Sequence, residues 1–354
     1  IIVVELAWRC SRADFIGITG SNGKSTVTSM TGSVMSASDR PSWAGGNLGT
    51  PVCEAVGGEA DVPGGVFVVE LSSFQLERVP TMRCSVAVLL NIAPDHMDRY
   101  RSLREYADAK GNVFDGQEPV DHAVVPDGEE EALAQARRSR GVIHVVGRPG
   151  GEVFAEGTSI RIAGLAGRTA DLDAPSLGLN DPLYVSNALA AIAAAVLAGA
   201  RPEAVATGLK SFRRLPHRFD LVAEQGGVRW IDDSKATNPA SVIAALKGVT
   251  GDVLLIAGGL DKHLDFAEIL PAARGKVRKV LLIGQAARAI EDALGGDLDV
   301  EHAGDLARAV ARARELARPG DTVLLSPACA SFDQFKSFEH RGDEFRRLVE
   351  SPGR

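Results

Sequence analysis

At 354 residues the chain is long enough for two domains with separate cores, and 45% hydrophobic with 24% charged residues is the composition of a globular protein. A net charge of −7 excludes the basic face of a nucleic-acid carrier, so anionic substrates must be held by local lysines, arginines or metal ions. The four cysteines (Cys10, Cys53, Cys84, Cys329) lack paired spacing, which excludes a zinc motif and fits a reducing cytoplasm. The opening Ile1-Ile2-Val3-Val4 has neither the basic flank nor the cleavage site of a signal peptide. No apolar run approaches the ~20 residues of a membrane helix. The first residue is not Met and lies in core-like material, so an upstream segment is expected.

Residues 1–12 read as a connector with a short helical face. The apolar run Phe15, Ile16, Ile18 then leads into Gly17-Ile18-Thr19-Gly20-Ser21-Asn22-Gly23-Lys24-Ser25-Thr26, and Val27, Met30, Thr31 and Val34 lead out with helical period. Strand, glycine-rich loop and helix in that order make a phosphate-binding loop. Gly20 and Gly23 let successive N–H groups of the loop turn toward one anion, and the helix beginning near Lys24 adds its positive end. Lys24 would reach the terminal phosphates, and the Ser25 hydroxyl would hold Mg²⁺. The common motif has glycine where this chain has Ile18; the Gly-Lys-Ser context still points to ATP or GTP.

Gly45 to Pro51 is rich in turn residues. Val66-Phe67-Val68-Val69 and Val86 to Leu90 are continuous apolar runs of the kind buried on both faces of a parallel sheet. Each ends in polar residues: Glu70 in Glu-Leu-Ser-Ser-Phe-Gln, and Asp95-His96 in Asp-His-Met-Asp-Arg-Tyr. Ligands of open α/β sheets collect at such strand ends. Glu70 could equally cap a helix, and a single histidine such as His96 is commonly structural. Residues 101–115 read as a helix on which Lys110, judged by pattern alone, is a solvated lysine. Strands at 123–126 and 142–146 flank a charged helix (129–138), 154–162 reads as a hairpin around Gly157, and Ala188 to Leu197 as an alanine-rich helix. The basic, proline-broken segment 213–219 marks a domain boundary. Beyond it, strands at 228–232, 253–257, 279–283 and 322–325 alternate with helices at 239–247, 265–273, 285–294, 304–317 and 340–350, which implies a second parallel sheet. Polar clusters follow three of these strands: Asp232 to Asn238, Gly258 to Lys262, and Ser326 to Phe335. Any one could be a capping turn; three on one sheet edge suggest a site.

With these clusters assembled, the chain resembles the Mur ligases, ATP-dependent amide-forming enzymes of peptidoglycan precursor synthesis. Thr19 to Ser25 is that family's form of the phosphate loop. The blocks 70–77, 95–100, 233–238 and above all 326–338 look like the D-glutamate-adding branch. The resemblance runs from about residue 5 to 350 and implies an α/β fold. A P-loop-type ATPase domain with a mostly parallel sheet would span 13–214, and a Rossmann-like amino-acid-binding domain 215–354, with 1–12 the connector from an unmatched N-terminal domain that holds the uridine diphosphate group in the family.

The same resemblance implies roles for particular residues. Gly20, Ser21, Asn22, Gly23, Lys24, Ser25 and Thr26 would cradle the phosphates of ATP, with Asn187, Arg218 and Asp233 contacting its nucleoside side. Ser25 and Glu70 would hold one Mg²⁺, and His96 and Lys110 a second, Lys110 being carbamylated. Lys24, Glu70, His96 and Lys110 would thus carry the catalysis. Asn47, Ser72 and Gln75 match positions near UDP-N-acetylmuramoyl-L-alanine; Lys235, Thr237, Lys262, Ser331, Phe332 and Phe338 match the D-glutamate side. Leu183-Tyr184 stands where the family usually has a His-Asn pair. The expected protein is a cytoplasmic monomer with no nucleic-acid or membrane partner, hinged near 213–218 and closing on ATP. Two other readings stay open: a nucleotide-binding relative without ligase activity, and a ligase for another acceptor.

Overall fold

In the computed structural model, which describes residues 2–97 and 99–351, the apolar runs of the first half become strands buried on both faces. The strands are β1 (Asp14–Thr19), β2 (Ser42–Gly46), β3 (Val66–Glu70), β4 (Val86–Leu89), β5 (His122–Pro126) and β6 (Val142–Val146). They form one sheet in the order β2-β3-β1-β4-β5-β6, parallel throughout. Side chains alternate across it. Ile16, Ile18, Val68 and Val88 face one layer, and Phe15, Phe67, Val69, Ala87 and Leu89 the other. The first layer is closed by α2 (Lys24–Ser36), α6 (Pro182–Leu197) and α7 (Pro202–Ser211); the second includes α1 (Val3–Cys10) and α5 (Glu130–Ala136). The short α3 (Ser73–Leu76) adds Leu76 to the second layer, and α4 (Leu103–Gly111) packs against α3 and α5.

The hairpin expected at 154–162 is two strands of a three-stranded antiparallel sheet: β7 (Val153–Glu156), β8 (Ser159–Leu165) and β9 (Arg168–Asp173). The alanine-rich helix begins not near Ala188 but at Pro182, where the Asp181 carboxylate accepts from Tyr184 N and Pro182 occupies the first turn. Tyr184 and Asn187 are therefore helical residues. Tyr184 is buried, with its ring against Phe212.

The second sheet runs β10 (Asp220–Gln225), β11 (Val228–Asp232), β15 (Thr322–Leu325), β12 (Val253–Gly258), β13 (Val277–Ile283), β14 (Val300–Gly304), parallel except for the β10–β11 pair. One face packs with α8 (Pro239–Gly248) and α10 (Ala287–Leu294), the other with α11 (Leu306–Leu316) and α12 (Phe338–Glu350). The helix expected over 265–273 is instead a 3₁₀ turn, Phe266–Ile269, followed by the single turn α9 (Leu270–Ala273), because Pro271 supplies no backbone donor. Strands β2, β9, β10 and β14 have no counterpart in the sequence reading. They carry few apolar residues, having partly exposed faces or edge positions.

The chain divides into two compact units: Ile1–Ala93 with Tyr100–Arg213, and Pro94–Arg99 with Arg214–Arg354. The segment 94–99, which holds His96, thus belongs to the second unit. No helix among the described residues is long and apolar enough to cross a membrane.

Strand β6 is held at the sheet edge partly by a polar relay. His122 Nδ1 lies 3.1 Å from His144 Nε2, and His144 Nδ1 lies 2.6 Å from Glu152. Burial and the neighbouring His144 lower the His122 pKa, more than Asp121 and Glu152 raise it. Because the folded state resists protonating His122, the relay's contribution is complete above the unfolded-state value of about 6.5 and is lost as pH falls through the lower folded value. Denaturant midpoints measured from pH 7.5 to 5 should fall below about pH 6.5 in the parent protein, and His122→Gln should flatten that decline; parallel curves would show that His122 does not control it.

Candidate functional site

The first unit gathers its polar residues where β3, β1 and β4, adjacent in the sheet, end together. Ile18 is in register with Glu70, and Thr19 with Leu89, so the chain leaves all three strands at one level. The phosphate loop is tied to the end of β4. Ser21 N donates to Asn91 O at 3.0 Å, Asn22 N donates to Asn91 Oδ1 at 2.8 Å, and the Ser21 hydroxyl bridges the Ala93 backbone. Gly23 has φ +84° and caps α2; a Cβ there would sit 2.7 Å from Asn187 Oδ1. The left-handed backbone and this close approach both demand glycine. They also bring the Asn187 amide to the loop, with Ser25 and Thr26 buried in the helix's first turn.

Two ammonium groups converge on one oxygen. Lys24 Nζ donates to Gly20 O and Ser21 O, and Lys110 Nζ donates to Gly20 O, each at 2.8 Å. Lys110 is 1% exposed and lies 4.6 Å above the Tyr106 ring. The solvated helix lysine of the pattern reading is therefore a buried group, supported by a carbonyl and an aromatic face that offset part of its desolvation. Two cations at one carbonyl create local positive potential suited to a polyphosphate, although the whole chain is acidic.

Glu70 is 2% exposed. Its Oε1 accepts from Asn47 Nδ2 at 2.9 Å, while Oε2 is buried with no hydrogen-bond partner. An orphaned carboxylate oxygen is the hard donor that Mg²⁺ takes, so the residues fit the ion. Among the described residues no three His, Cys, Asp or Glu side chains form a ready-made metal cage. A cation brought in with a triphosphate suits such a site, since Mg²⁺ usually binds through one or two carboxylates and phosphate oxygens. Ser72 and Gln75 form the capping box of α3, which accounts for their local hydrogen bonds.

In the second unit β11, β15 and β12 are neighbours, so the three polar clusters emerge side by side. Asp233 is buried; it accepts from Phe219 N at 3.1 Å and from the Ser326 hydroxyl at 2.9 Å. Burial pushes its carboxyl up to about 8, against the pull of those two donors and of Arg218. His217, next to Arg218, lies 2.7 Å from Asp232, and that hydrogen bond raises the His217 pKa despite burial. Lys235 Nζ sits 4.1 Å over the Phe338 ring. Lys262 donates to Asp95 Oδ1 at 3.0 Å, and Asn238 Nδ2 to Asp95 Oδ2 at 3.2 Å. Burial raises the Asp95 carboxyl, but Lys262, His96 and Asn238 together hold it below its ordinary value. His96 adjoins this pair at φ +57°. Ser331 is buried, whereas Phe332 is 69% exposed, an aromatic ring presented to solvent beside polar neighbours. Thr237 is half-buried in the turn between Lys235 and the α8 cap at Asn238.

Pattern reading missed several partners. Asn91 was identifiable only by its place at the end of the strand beside the loop. Asp232 and Ser326 lie inside the polar clusters read from the sequence, but their bonds to His217 and Asp233 join separate segments, and Tyr106, under Lys110, carries no local signature.

Comparison with known proteins gives the same picture. Residues 18–195 match the Mur ligase middle domain, and 217–329 match the Mur ligase, glutamate ligase domain. The UDP-N-acetylmuramoylalanine–D-glutamate ligase of Myxococcus xanthus is 44% identical over 359 residues, covering 98% of this chain and 78% of the relative. The protein of that name from Anaeromyxobacter dehalogenans is 44% identical over 366 residues, covering 99% and 78%. Among solved structures, MurF ligase from Thermotoga maritima in complex with ADP has a TM-score of 0.73 at 18% identity, covering 98% of this chain and 83% of that one. FolC from E. coli with DHPP and ADP has 0.70 at 20% identity, covering 99% and 94%. The structural likenesses establish the shared fold, and the sequence identity across nearly the whole length makes this chain a member of the Mur ligase family.

Proposed function

We propose that this chain joins D-glutamate to UDP-N-acetylmuramoyl-L-alanine at the expense of ATP, in the synthesis of peptidoglycan precursors. The observation that carries the reading is 44% identity, over 98% of the chain, to a relative named for that ligase activity.

A carboxylate is a poor acyl donor at neutral pH. In this reading the acceptor's carboxylate attacks the γ-phosphorus of ATP, ADP leaves, and an acyl phosphate forms. The neutral amine of D-glutamate then adds to the acyl carbon, phosphate departs with the carbon–oxygen bond, and the nitrogen gives up a proton to solvent as the amide forms. Phosphoryl transfer of this kind depends mainly on positioning and charge neutralisation. The backbone of residues 20–26 orients the phosphates, and Lys24 moves its ammonium from Gly20 O and Ser21 O onto them. Asn187, Arg218 and Asp233 contact the nucleoside side. Arg218 offers the planar fork that suits an anionic oxygen pair. Asn47, Ser72 and Gln75 serve the muramyl acceptor; Lys235, Thr237, Lys262, Ser331, Phe332 and Phe338 serve D-glutamate.

Ser25 and Glu70 would hold one Mg²⁺, and His96 and Lys110 a second. Bound magnesium supplies neutralisation of the charge that shifts among phosphate oxygens. Lys110 would join that set as a carbamate, formed when its neutral amine adds to CO₂ and releases a proton. This replaces a cation with an anionic oxygen donor. The burial of Lys110 beside Lys24 supports that chemistry, since a nearby ammonium favours the anionic form.

Phosphate release should require ATP, D-glutamate and UDP-N-acetylmuramoyl-L-alanine together, and Lys24→Ala should reduce it about a hundredfold or more. Release that ignores either amino-acid substrate, or turnover only with another acceptor, would overturn this assignment. Separately, protein equilibrated with ¹³C-bicarbonate should give a carbamate carbon resonance that Lys110→Arg abolishes; an identical spectrum from the variant would remove the carbamate from the proposal.

A further inference from the structure

Arg341 is the largest fully buried side chain in the described structure, at 0% exposure on the first turns of α12. Its four acceptors are neutral oxygens on two different loops. Nε donates to Ser234 Oγ at 2.9 Å and Nη2 to Ser234 O at 2.8 Å, both in the loop after β11. Nη2 also donates to Cys329 O at 3.1 Å and Nη1 to Ala330 O at 3.5 Å, in the loop after β15. Burial lowers its pKa only to about 10, so it is charged at neutral pH.

A third loop joins the same knot. Leu260 and Ala330 exchange backbone hydrogen bonds, Leu260 N to Ala330 O at 2.8 Å and Ala330 N to Leu260 O at 3.2 Å. Gly259 has φ +143°, and a Cβ there would lie 2.3 Å from Ala330 O and 3.1 Å from Arg341 Nη1. Only glycine lets the loop after β12 come this close. The Ser234 hydroxyl, which receives Arg341 Nε, in turn donates to Phe338 O at 2.8 Å. The groups held by this one guanidinium therefore adjoin the residues assigned to the amino acid: Ser234 precedes Lys235, Ala330 precedes Ser331 and Phe332, and Phe338 opens the helix that carries Arg341.

We propose that Arg341 is a positioning residue for the amino-acid subsite, its fork locking the loops after β11 and β15 so that Lys235, Ser331 and Phe338 are set to receive the incoming amino acid. The proposal rests on the ligase reading for the identity of that amino acid. It separates this subsite from the nucleotide side, because Asp233 is fixed independently by Phe219 N, Ser326 Oγ and the Leu325 backbone. It also explains arginine at this position. A lysine ammonium lacks the planar spread of donors needed to reach Ser234 and Cys329 together.

The test compares Arg341→Lys, Arg341→Met and Ser234→Ala with the parent protein, measuring KM for D-glutamate, KM for ATP, and the melting temperature. Loss of bonds to a charged donor should raise the D-glutamate KM about tenfold or more in both Arg341 variants. Ser234→Ala should shift it in the same direction by a smaller factor, and the ATP KM should stay within about twofold throughout. A general structural defect would instead lower kcat with the folded fraction, or move both KM values together, and either result overturns the proposal, as does a D-glutamate KM unchanged in Arg341→Lys. Should the Arg341 variants fail to fold, Ser234→Ala decides by the same split. A parent protein that ligates no D-glutamate refutes the ligase reading itself, whereas a parent that does, with variants of unaltered D-glutamate KM, refutes only this assignment.

Discussion

A parallel sheet delivers the C-terminal ends of all its strands to one edge, and both units of this protein are built on that constraint. In the first, β3, β1 and β4 are adjacent, so Glu70, the phosphate loop and Asn91 meet although far apart in sequence. In the second, the adjacency of β11, β15 and β12 does the same for Asp233, Ser326 and Gly259. Hydrogen bonding within the sheet fixes strand register to within one residue, because a slip would turn every buried side chain to the wrong face. The apolar alternation of Ile16, Ile18, Val68 and Val88 against Phe15, Phe67 and Val69 therefore also sets the depth at which each polar side chain emerges.

Edge geometry brings groups near one another, and specific bonds then hold them. The phosphate loop is pinned through Ser21 and Asn22 to Asn91, so its donors are ordered before an anion arrives and little conformational entropy is lost on binding. The buried charges follow the same logic. Lys110 has a carbonyl and a ring, Asp95 has Lys262 and Asn238, and Arg341 has four oxygens. Removing one partner leaves a desolvated charge behind, so these clusters are rigid in a way that exposed ion pairs such as Arg201–Asp39 are not.

How much of this could be read from the chain depended on whether the signal was local. Gly20 to Ser25 is contiguous, and its chemistry follows from residue order. Glu70 was visible because a buried strand stops there. Lys110 was not visible, since helical periodicity describes only its own turn of α4, and its burial is decided by Gly20, ninety positions away. Arg341 is the same case: within Glu-His-Arg-Gly it looks like one more charge on an amphipathic helix, and only the fold places Ser234 and Cys329 around it. Strands β9, β10 and β14 were illegible for a different reason. They have partly exposed faces or lie at edges, and their sequences lack the continuous apolar run that marks a central strand. The start of α6 is set by Asp181 and Pro182, ahead of the alanine run whose periodicity marks the helix in the sequence.

The choice between lysine and arginine at the buried positions is itself informative. Where a cation bridges several fixed carbonyls, as at residue 341, a planar guanidinium offers five donors in one rigid frame and holds its charge across the physiological range. Where the group must move onto a phosphate or be modified, as proposed for Lys24 and Lys110, a single amine on a flexible stem is needed, because it can rotate and can lose its proton. Exchanging the two types would keep the charge but place a reactive amine where rigidity is required, and an inert fork where chemistry is. The distribution thus separates scaffold from reaction: arginine ties the second unit's loops together, and lysines line the loop of the first.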